Sequence, residues 1–305
     1  MTETSHRAGF VSIAGRPNAG KSTLLNQLVG EKLAIIAHQP QTTRTSIQAV
    51  LTTPEAQIVF IDTPGIHKSD TLFNKRMMDT VRGALQDRDL ILFVTDSSKP
   101  FEEEDEHAIS ALDRSCKALL VPNKIDRVKD KRLLLPLIQT YTAAFPFVEA
   151  LPVSARNGDG IDQLKRAITE HLPDGPAFYP ANYSTDQPMR FLAAEIIREQ
   201  ILRMTRDEVP HATAILVDSW EEKPQLTKIS ATIYVERSGQ KIILIGNKGE
   251  MLKKIGSKAR VELERMLEHK VFLSLFVKVK SDWREDPAFL NAVDWRSMIG
   301  SEQND

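Results

Sequence analysis

Cysteine is nearly absent from this chain: Cys116 is the only one among 305 residues. A single thiol excludes an intramolecular disulfide and any Cys-rich metal site, and it suits a reducing compartment. A strong charge of one sign is also missing. Lys and Arg total 40 against 41 Asp and Glu, a formal net charge of −1. Bulk charge therefore cannot hold nucleic acid, and any such contact must be a local patch. No apolar run approaches the length that spans a bilayer. The opening residues, Met1-Thr-Glu-Thr-Ser-His-Arg7, lack the apolar core of a secretion signal, so a cytoplasmic location is expected. What remains is an ordinary globular composition, 41% apolar and 27% charged, long enough for two domains with a core in each.

The strongest local signal is Gly15-Arg16-Pro17-Asn18-Ala19-Gly20-Lys21-Ser22, a complete G-x-x-x-x-G-K-[ST] pattern followed by Thr23. Before it, residues 9–14 are short, apolar and β-branched, as a buried parallel strand is. After it, Leu24, Leu25 and Leu28 mark the inner side of a helix. Gly15 and Gly20 let the backbone wrap a polyphosphate with its N–H groups inward. Lys21 then neutralises the β/γ oxygens, and the Ser22 hydroxyl can ligate Mg²⁺. The chain is read as binding a nucleoside triphosphate.

Further segments select the base. The strand-like run Gln57-Ile-Val-Phe-Ile61 ends in Asp62-Thr63-Pro64-Gly65, which suits an outer contact to Mg²⁺ through Asp62 and a backbone N–H on the γ-phosphate at Gly65. Asn123-Lys124-Ile-Asp126 follows another apolar run. The Asp126 carboxylate can accept from both N1–H and the exocyclic amine of guanine, a donor pair that adenine lacks. Asn123 can pin the loop, and Lys124 can lie along the base. Ser154-Ala155 offers a backbone N–H for the guanine carbonyl. In Gln41-Thr42-Thr43-Arg44, Thr43 is preferred over Thr42 as the residue that closes on Mg²⁺ when the γ-phosphate is present. The acidic run Glu102–Glu106 reads as the first turn of a helix, favoured by its dipole, rather than a metal site.

These boxes resemble those of translation-factor-class GTPases, which implies a doubly wound α/β sheet with nucleotide at the strand carboxyl ends. Strands are predicted near 9–14, 46–52, 57–62, 89–95, 116–122 and 147–153, placing Cys116 in a buried strand. Helices are predicted near 21–29, 73–86, 103–114, 131–144 and 160–171. After Gly65 comes Ile66, where many GTPases carry a water-orienting glutamine. Isoleucine neither donates nor accepts, so hydrolysis rests on Lys21, Thr43, Mg²⁺ and backbone N–H groups such as that of Gly65, and should be slow. In the GTPase subgroup that this resembles, an Asn at the place of Asn18 with a Thr-Thr-Arg loop often accompanies K⁺ activation, which is carried here to Asn18 as an expectation.

A stretch at 174–187 holds Pro176 and Pro180 and reads as an ordered linker between a GTPase domain, 1–173, and a second domain, 188–305. In the second domain the order is helix 188–204, strands 212–218 and 226–236, a third, Ile-rich run 240–245 that reads locally as a strand, a helix from 250 and a last strand 271–279. Gly246-Asn247-Lys248-Gly249 sits before the helix as the G-x-x-G loop of a KH domain with the α-β-β-α-α-β order of its prokaryotic (type II) form, an α+β fold. Between Arg237 and Lys280 there are eleven bases against four acids, a local excess that a phosphate-tracking patch requires. Lys248, Lys253, Lys254 and Lys258 are its candidate RNA contacts, and Ile245 and Ile255 offer apolar surface for unstacked bases. Trp283 and Trp295 read as packing anchors rather than base-stackers.

A GTPase module with Asn18 in its phosphate loop and Ile66 after D-x-x-G, joined to a KH domain with Lys278-Val-Lys280-x-x-Trp283, resembles the Era family over essentially the entire chain. The family commonly reads Gly-Lys-x-Gly in the KH loop, whereas here Asn247 precedes Lys248. The resemblance implies a GTP-binding and GTP-hydrolysing switch with cofactors GTP/GDP and Mg²⁺. It further implies binding to the 3′ end of small-subunit (16S) ribosomal RNA and a role in 30S assembly, with a monomeric chain and a peripheral inner-membrane fraction. A second reading is a regulatory GTPase whose chief partner is a protein docked on the KH domain. ATP-driven chemistry is disfavoured by Asp126.

Overall fold

The computed structural model describes residues 6–37, 42–66, 71–86 and 88–294; Gln41 and Trp295 lie outside the described residues. The chain divides into two compact units. The first comprises residues up to 36, 43–70 and 74–186; the second comprises 187 onward with short pieces at 37–42 and 71–73.

The first unit is built on a six-stranded sheet in the order β2-β3-β1-β4-β5-β6. Its strands are β1 (Arg7–Ala14), β2 (Ile47–Thr52), β3 (Ala56–Asp62), β4 (Leu90–Asp96), β5 (Ala118–Asn123) and β6 (Glu149–Ala150). Only β2 is antiparallel to its neighbour; the remaining pairs are parallel. The helices are α1 (Lys21–Val29), α2 (Leu72–Leu85), α3 (Glu103–Ser110), α4 (Leu134–Ala144) and α5 (Ile161–His171). Every residue of β3, β4 and β5 is buried, which explains their continuous apolar runs: central parallel strands are covered on both faces. Leu24, Leu25 and Leu28 of α1 lie without exposure in one buried cluster with Val11, Phe60, Leu92 and Ile168. This layering brings the carboxyl ends of β1, β3, β4 and β5 side by side, and each leads into or ends at a residue of the nucleotide boxes.

Three local expectations are corrected. Cys116 is not in a strand, since β5 begins at Ala118. It sits in a turn closed by Asp113, whose carboxylate accepts from Ser115 N and Oγ at 2.9 and 2.7 Å, and its Sγ donates to Arg88 O at 3.3 Å. The expected strand at 147–153 shrinks to the two residues of β6, and α3 stops at Ser110 rather than 114.

The proline-containing stretch after residue 173 packs on the first unit. Gln57, fully buried in β3, donates through Nε2 to Tyr179 O (2.8 Å) and Thr52 Oγ1 (3.0 Å). Its Oε1 accepts from Phe178 N (2.7 Å) and Tyr179 N (2.9 Å). Val50 N donates to Ser184 O at 2.8 Å and Thr185 Oγ1 to Gln48 O at 2.6 Å, so the segment covers the open edge of β2. Tyr179 and Tyr183 stack at 4.6 Å.

The second unit contains α6 (Met189–Met204), β7 (Ala214–Lys223), β8 (Leu226–Val235), α7 (Ser238–Ile245), α8 (Glu250–Leu267), β9 (Lys270–Val279) and α9 (Pro287–Val293). Its sheet runs β7-β8-β9, with β7 antiparallel and β9 parallel to β8. Ile197, Ile201, Ile229, Ile233, Leu244 and Leu263 form its core. The Ile-rich run 240–245 is helix α7, not a strand. Its buried residues are Gln240 and Leu244, a spacing of four that suits a helix against a sheet, while Ile242 and Ile243 face outward. Gln240 Oε1 closes the helix start by accepting from Glu236 N and Arg237 N, both at 3.0 Å. Trp283 is fully buried, its Nε1 donating to Ala212 O at 3.0 Å, as expected of an anchor.

Replacing Gln57 by alanine leaves two backbone N–H groups and one carbonyl without their partner. We expect a loss of about 2–3 kcal/mol in urea unfolding, with faster proteolytic cleavage between residues 174 and 186.

Candidate nucleotide site and nucleic-acid interface

The loop from β1 to α1 turns through left-handed backbone at Asn18 (φ 62°) and Gly20 (φ 97°). A Cβ on Gly20 would lie 2.4 Å from Asn123 Nδ2, so this position admits glycine alone. Lys21 is buried at the start of α1, and its Nζ donates to Gly15 O (3.0 Å) and Arg16 O (3.1 Å). Burial pushes its pKa down to about 8, against the attraction of Asp62.

Ser22, Thr43 and Asp62 converge although 40 residues separate the first from the last. Ser22 Oγ is 2.7 Å from Thr43 Oγ1 and donates to Asp62 Oδ2 at 2.9 Å; Thr43 Oγ1 donates to the same oxygen at 3.2 Å. Burial pushes Asp62 up to about 6, with Lys21 and the two hydroxyls opposing. Its Oδ1 is buried without a hydrogen-bond partner. Two hydroxyls and a carboxylate with an unpartnered oxygen are a hard-oxygen set that fits Mg²⁺. Thr42 does not join them: it falls in the short piece grouped with the second unit, and its Oγ1 donates to Ala37 O at 3.4 Å.

Beyond Asp62, Thr63 Oγ1 donates to Ile13 O at 2.8 Å and anchors the start of the D-x-x-G turn. Pro64 and Gly65 follow, and Gly65 lies against Pro17, where a Cβ would come within 2.7 Å. Ile66 is buried at 4% exposure, with its N–H donating to Gly15 O at 3.3 Å. Its apolar side chain is buried and supplies nothing that aligns water.

The base-selecting segments are joined by Asn123. Its Nδ2 donates to Ala19 O at 3.0 Å, and its Oδ1 accepts from Lys124 N (2.7 Å) and Ala155 N (3.0 Å). Of the Ser154-Ala155 turn, expected from sequence to offer a backbone N–H to the guanine carbonyl, the Ala155 N–H is engaged by Asn123. Lys124 Nζ donates to Asn18 O (2.5 Å) and Asp96 Oδ2 (2.7 Å). Burial alone would raise Asp96, but Lys124 and Ser98 outweigh it and hold the carboxyl below its usual range. Asp126 is exposed, and its Oδ1 accepts from Ser154 Oγ at 2.7 Å, which aims the carboxylate. Asp96 is not singled out by sequence reasoning. Its signal is an aspartate at the end of a buried strand, the same signal that marks Asp62.

In the second unit, Gly246 has φ 71°, and a Cβ there would lie 2.7 Å from Met251 Cβ. Lys248 takes left-handed backbone (φ 50°), and Asn247 and Lys248 are exposed. A groove of about 560 Å³ opens beside this loop, lined by Gly249, Leu252, Lys253, Gly256, Ser257 and Arg260 on one wall and by Val271, Phe272, Leu273 and Leu275 of β9 on the other. Lys253 is in the groove; Lys254 and Lys258 are exposed on α8 but do not line it. Ile245 is half-buried against the core, and Ile255 is fully buried within it, so Ile255 is not a surface for bases. Leu252 and Leu275 supply the groove's apolar lining instead. Arg260 and Ser257 lie at helical spacing from Gly249 and Lys253, a stripe readable from the sequence; the opposing wall of β9 is not.

Asn123→Ala removes the shared partner of three segments and leaves Ala19 O and Ala155 N unpaired. We expect ~2–4 kcal/mol lost in urea unfolding of the nucleotide-free protein, and GTP affinity reduced at least about tenfold in titration with a fluorescent analogue.

Comparison with known proteins finds two family matches along the chain. Residues 10–124 match the family described as 50S ribosome-binding GTPase, and residues 208–284 match the KH domain. The chain is 50% identical over 298 residues to GTPase Era of Geobacter metallireducens, covering 97% of this chain and all of that protein. It is 46% identical over 297 residues to GTPase Era of Lactobacillus delbrueckii subsp. bulgaricus, covering 97% and 98%. A crystal structure of Era in complex with MgGDPNP and nucleotides 1506–1542 of 16S ribosomal RNA superposes with a TM-score of 0.92 at 37% identity, covering 95% of this chain and 99% of that one. An Aquifex aeolicus Era variant bound to GDP·AlF4⁻ gives 0.91 at 37% identity with the same coverage. The Asn18 phosphate loop, the Ile66 turn and the KH groove thus sit in a chain whose likeness to these proteins runs almost from end to end, and it belongs to the Era family of GTPases.

Proposed function

We propose that this GTPase is a small-subunit assembly factor whose KH groove holds the single-stranded 3′ end of 16S ribosomal RNA in the GTP state, with hydrolysis as the release step. The observation that carries this reading is the groove itself. It combines a G-x-x-G turn, Lys253 and Arg260 on one wall and an apolar β9 wall on the other, in a chain 37% identical to an Era protein crystallised with that RNA. Backbone approach at the glycines, cations for phosphates and apolar surface for unstacked bases are what single-stranded RNA requires.

In the GTPase unit, Lys21 is the residue that meets the β/γ-phosphates, exchanging the carbonyls of Gly15 and Arg16 for phosphate oxygens. Ser22 and Thr43 would hold Mg²⁺ directly and Asp62 through water. When bound, the ion neutralises charge on the phosphates. With Ile66 in place of a polar side chain, the attacking water is aligned by backbone alone, which makes intrinsic turnover slow. Asn18, exposed at the lip of the loop, is the residue proposed to bind an activating K⁺. The protein is taken to act as a monomer in the cytoplasm with a peripheral inner-membrane fraction. Among the described residues no helix is long and apolar enough to cross a membrane.

Charge removal at Lys248 and Lys253, both to alanine, tests the RNA reading with an oligonucleotide of the 16S 3′ end. We expect RNA affinity to fall with GTP affinity intact, and the slope of log K against log salt to shrink by about 1.4. Unchanged RNA affinity would instead favour a protein partner at this surface. GTP turnover is expected to be faster in potassium than in sodium buffer, with Asn18→Ala abolishing the difference; equal rates in the two salts for the unmodified protein would remove the K⁺ site.

A further inference from the structure

The side chain of Arg16 has no part in the contacts assigned above. It belongs to the phosphate loop, yet only 6% of the residue is exposed. Its Nη1 lies 2.9 Å from Glu102 Oε2 and 2.9 Å from Asp105 Oδ2, at the first turn of α3. Asp105 is almost fully enclosed at 1% exposure; its Oδ2 also accepts from Glu102 N at 3.1 Å. The carboxylate interacts in turn with the hydroxyl of Tyr141 of α4, a residue 2% exposed whose ring meets Phe101 edge-on at 4.9 Å. Burial pushes Asp105 up from the usual carboxylate range, and Tyr141 and Arg16 oppose it. Burial, followed by the Asp105 charge, drives the Tyr141 hydroxyl well above its ordinary value, so it stays a donor.

Two members of the acidic run 102–106 are therefore not merely a solvated helix start. Glu102 and Asp105 grip a guanidinium, and an arginine so paired is committed to two carboxylates rather than to a phosphate. Its backbone, however, is in the loop. The Arg16 carbonyl accepts from Lys21 Nζ at 3.1 Å, so the residue is fixed by its side chain at one end and faces the phosphate-binding amine at the other. The same β4–α3 connection reaches the loop a second time, where Asp96 holds Lys124 and Lys124 holds Asn18 O.

We propose that Arg16 is a positioning residue: clamped by Glu102 and Asp105, with Tyr141 locking Asp105, it fixes the phosphate-loop backbone and through it the place of Lys21 before nucleotide arrives. A loop braced in advance loses less freedom on binding, and this benefit applies to any nucleotide that carries the β-phosphate. Cutting the brace therefore weakens GDP and GTP by the same factor. An arginine that touched the γ-phosphate would weaken GTP alone.

The test uses the full chain and fluorescent GDP and GTP analogues, measuring affinity and dissociation rate, with urea unfolding in parallel. Arg16→Gln and Asp105→Asn are each expected to weaken both nucleotides by a common factor of about 10 to 100, and the double variant to be no worse than the poorer single one, as for two groups in one contact. Arg16→Lys should recover part of the affinity, because an ammonium still pairs with Asp105 but cannot span both acids. Tyr141→Phe keeps the ring packing and removes only the hydroxyl, so it reports even where Asp105→Asn folds poorly; a smaller loss, shared equally by GDP and GTP, is expected. Loss confined to GTP, additive effects in the double variant, or a lowered urea midpoint with unchanged affinities would each overturn the proposal.

Discussion

One buried carboxamide makes a single site of three separate segments. Asn123, 2% exposed, spends its amide on the phosphate-loop carbonyl of Ala19 and its oxygen on the backbone of Lys124 and Ala155. That geometry depends on the sheet. β5 lies beside β4, which lies beside β1, so the carboxyl ends of strands far apart in sequence finish within reach of one side chain. It also depends on Gly20, since any Cβ there would occupy the place of Asn123 Nδ2. Buried polar groups that are fully satisfied specify one arrangement strongly, and half-satisfied ones are costly. The phosphate loop, the N-K-x-D turn and the Ser154-Ala155 turn therefore stand or fall together.

The same site carries an uncompensated electrostatic load. Lys21 and Asp62 are both buried, and burial works against the charge on each, pushing the amine down to about 8 and the carboxyl up to about 6. Their mutual attraction offsets only part of the desolvation, and Asp62 Oδ1 has no hydrogen-bond partner. A ligand that brings phosphates to Lys21 and a divalent cation to Asp62 restores both charges to good company. Nucleotide is thus part of what holds this region together, and its binding stabilises the fold by mass action.

Much of the nucleotide site is legible in the sequence. The phosphate loop, D-x-x-G and N-K-x-D boxes are short, ordered along the chain and flanked by unbroken apolar runs that only central parallel strands explain. What the sequence hides depends on tertiary partners. Residues 240–245 are rich in isoleucine and look like a strand, but Leu244 and Gln240 face the core four residues apart, and packing overrides β-propensity. Ile255 looks available for bases and proves to be core, whereas Phe272 and Leu275 line the groove because β9 happens to run beside α8. Gln57 gives no local hint that it holds residues 178 and 179, more than a hundred positions away.

For the RNA role proposed here, the near-zero net charge matters as much as the basic patch. A chain with 40 bases and 41 acids has little long-range pull on a polyanion. Eleven bases against four acids between Arg237 and Lys280 concentrate the attraction on the second unit, where Lys253 and Arg260 line the groove. Binding of that kind is local and salt-sensitive, and it leaves the rest of the surface indifferent to the large excess of other RNA in an assembling particle. Sequence discrimination must then come from the groove walls, where Leu252, Phe272 and Leu275 offer surface that only unpaired bases can use. A duplex presents phosphates to Lys253 and Arg260 but cannot use such a wall, so under the proposed role the patch and the groove together favour single-stranded RNA.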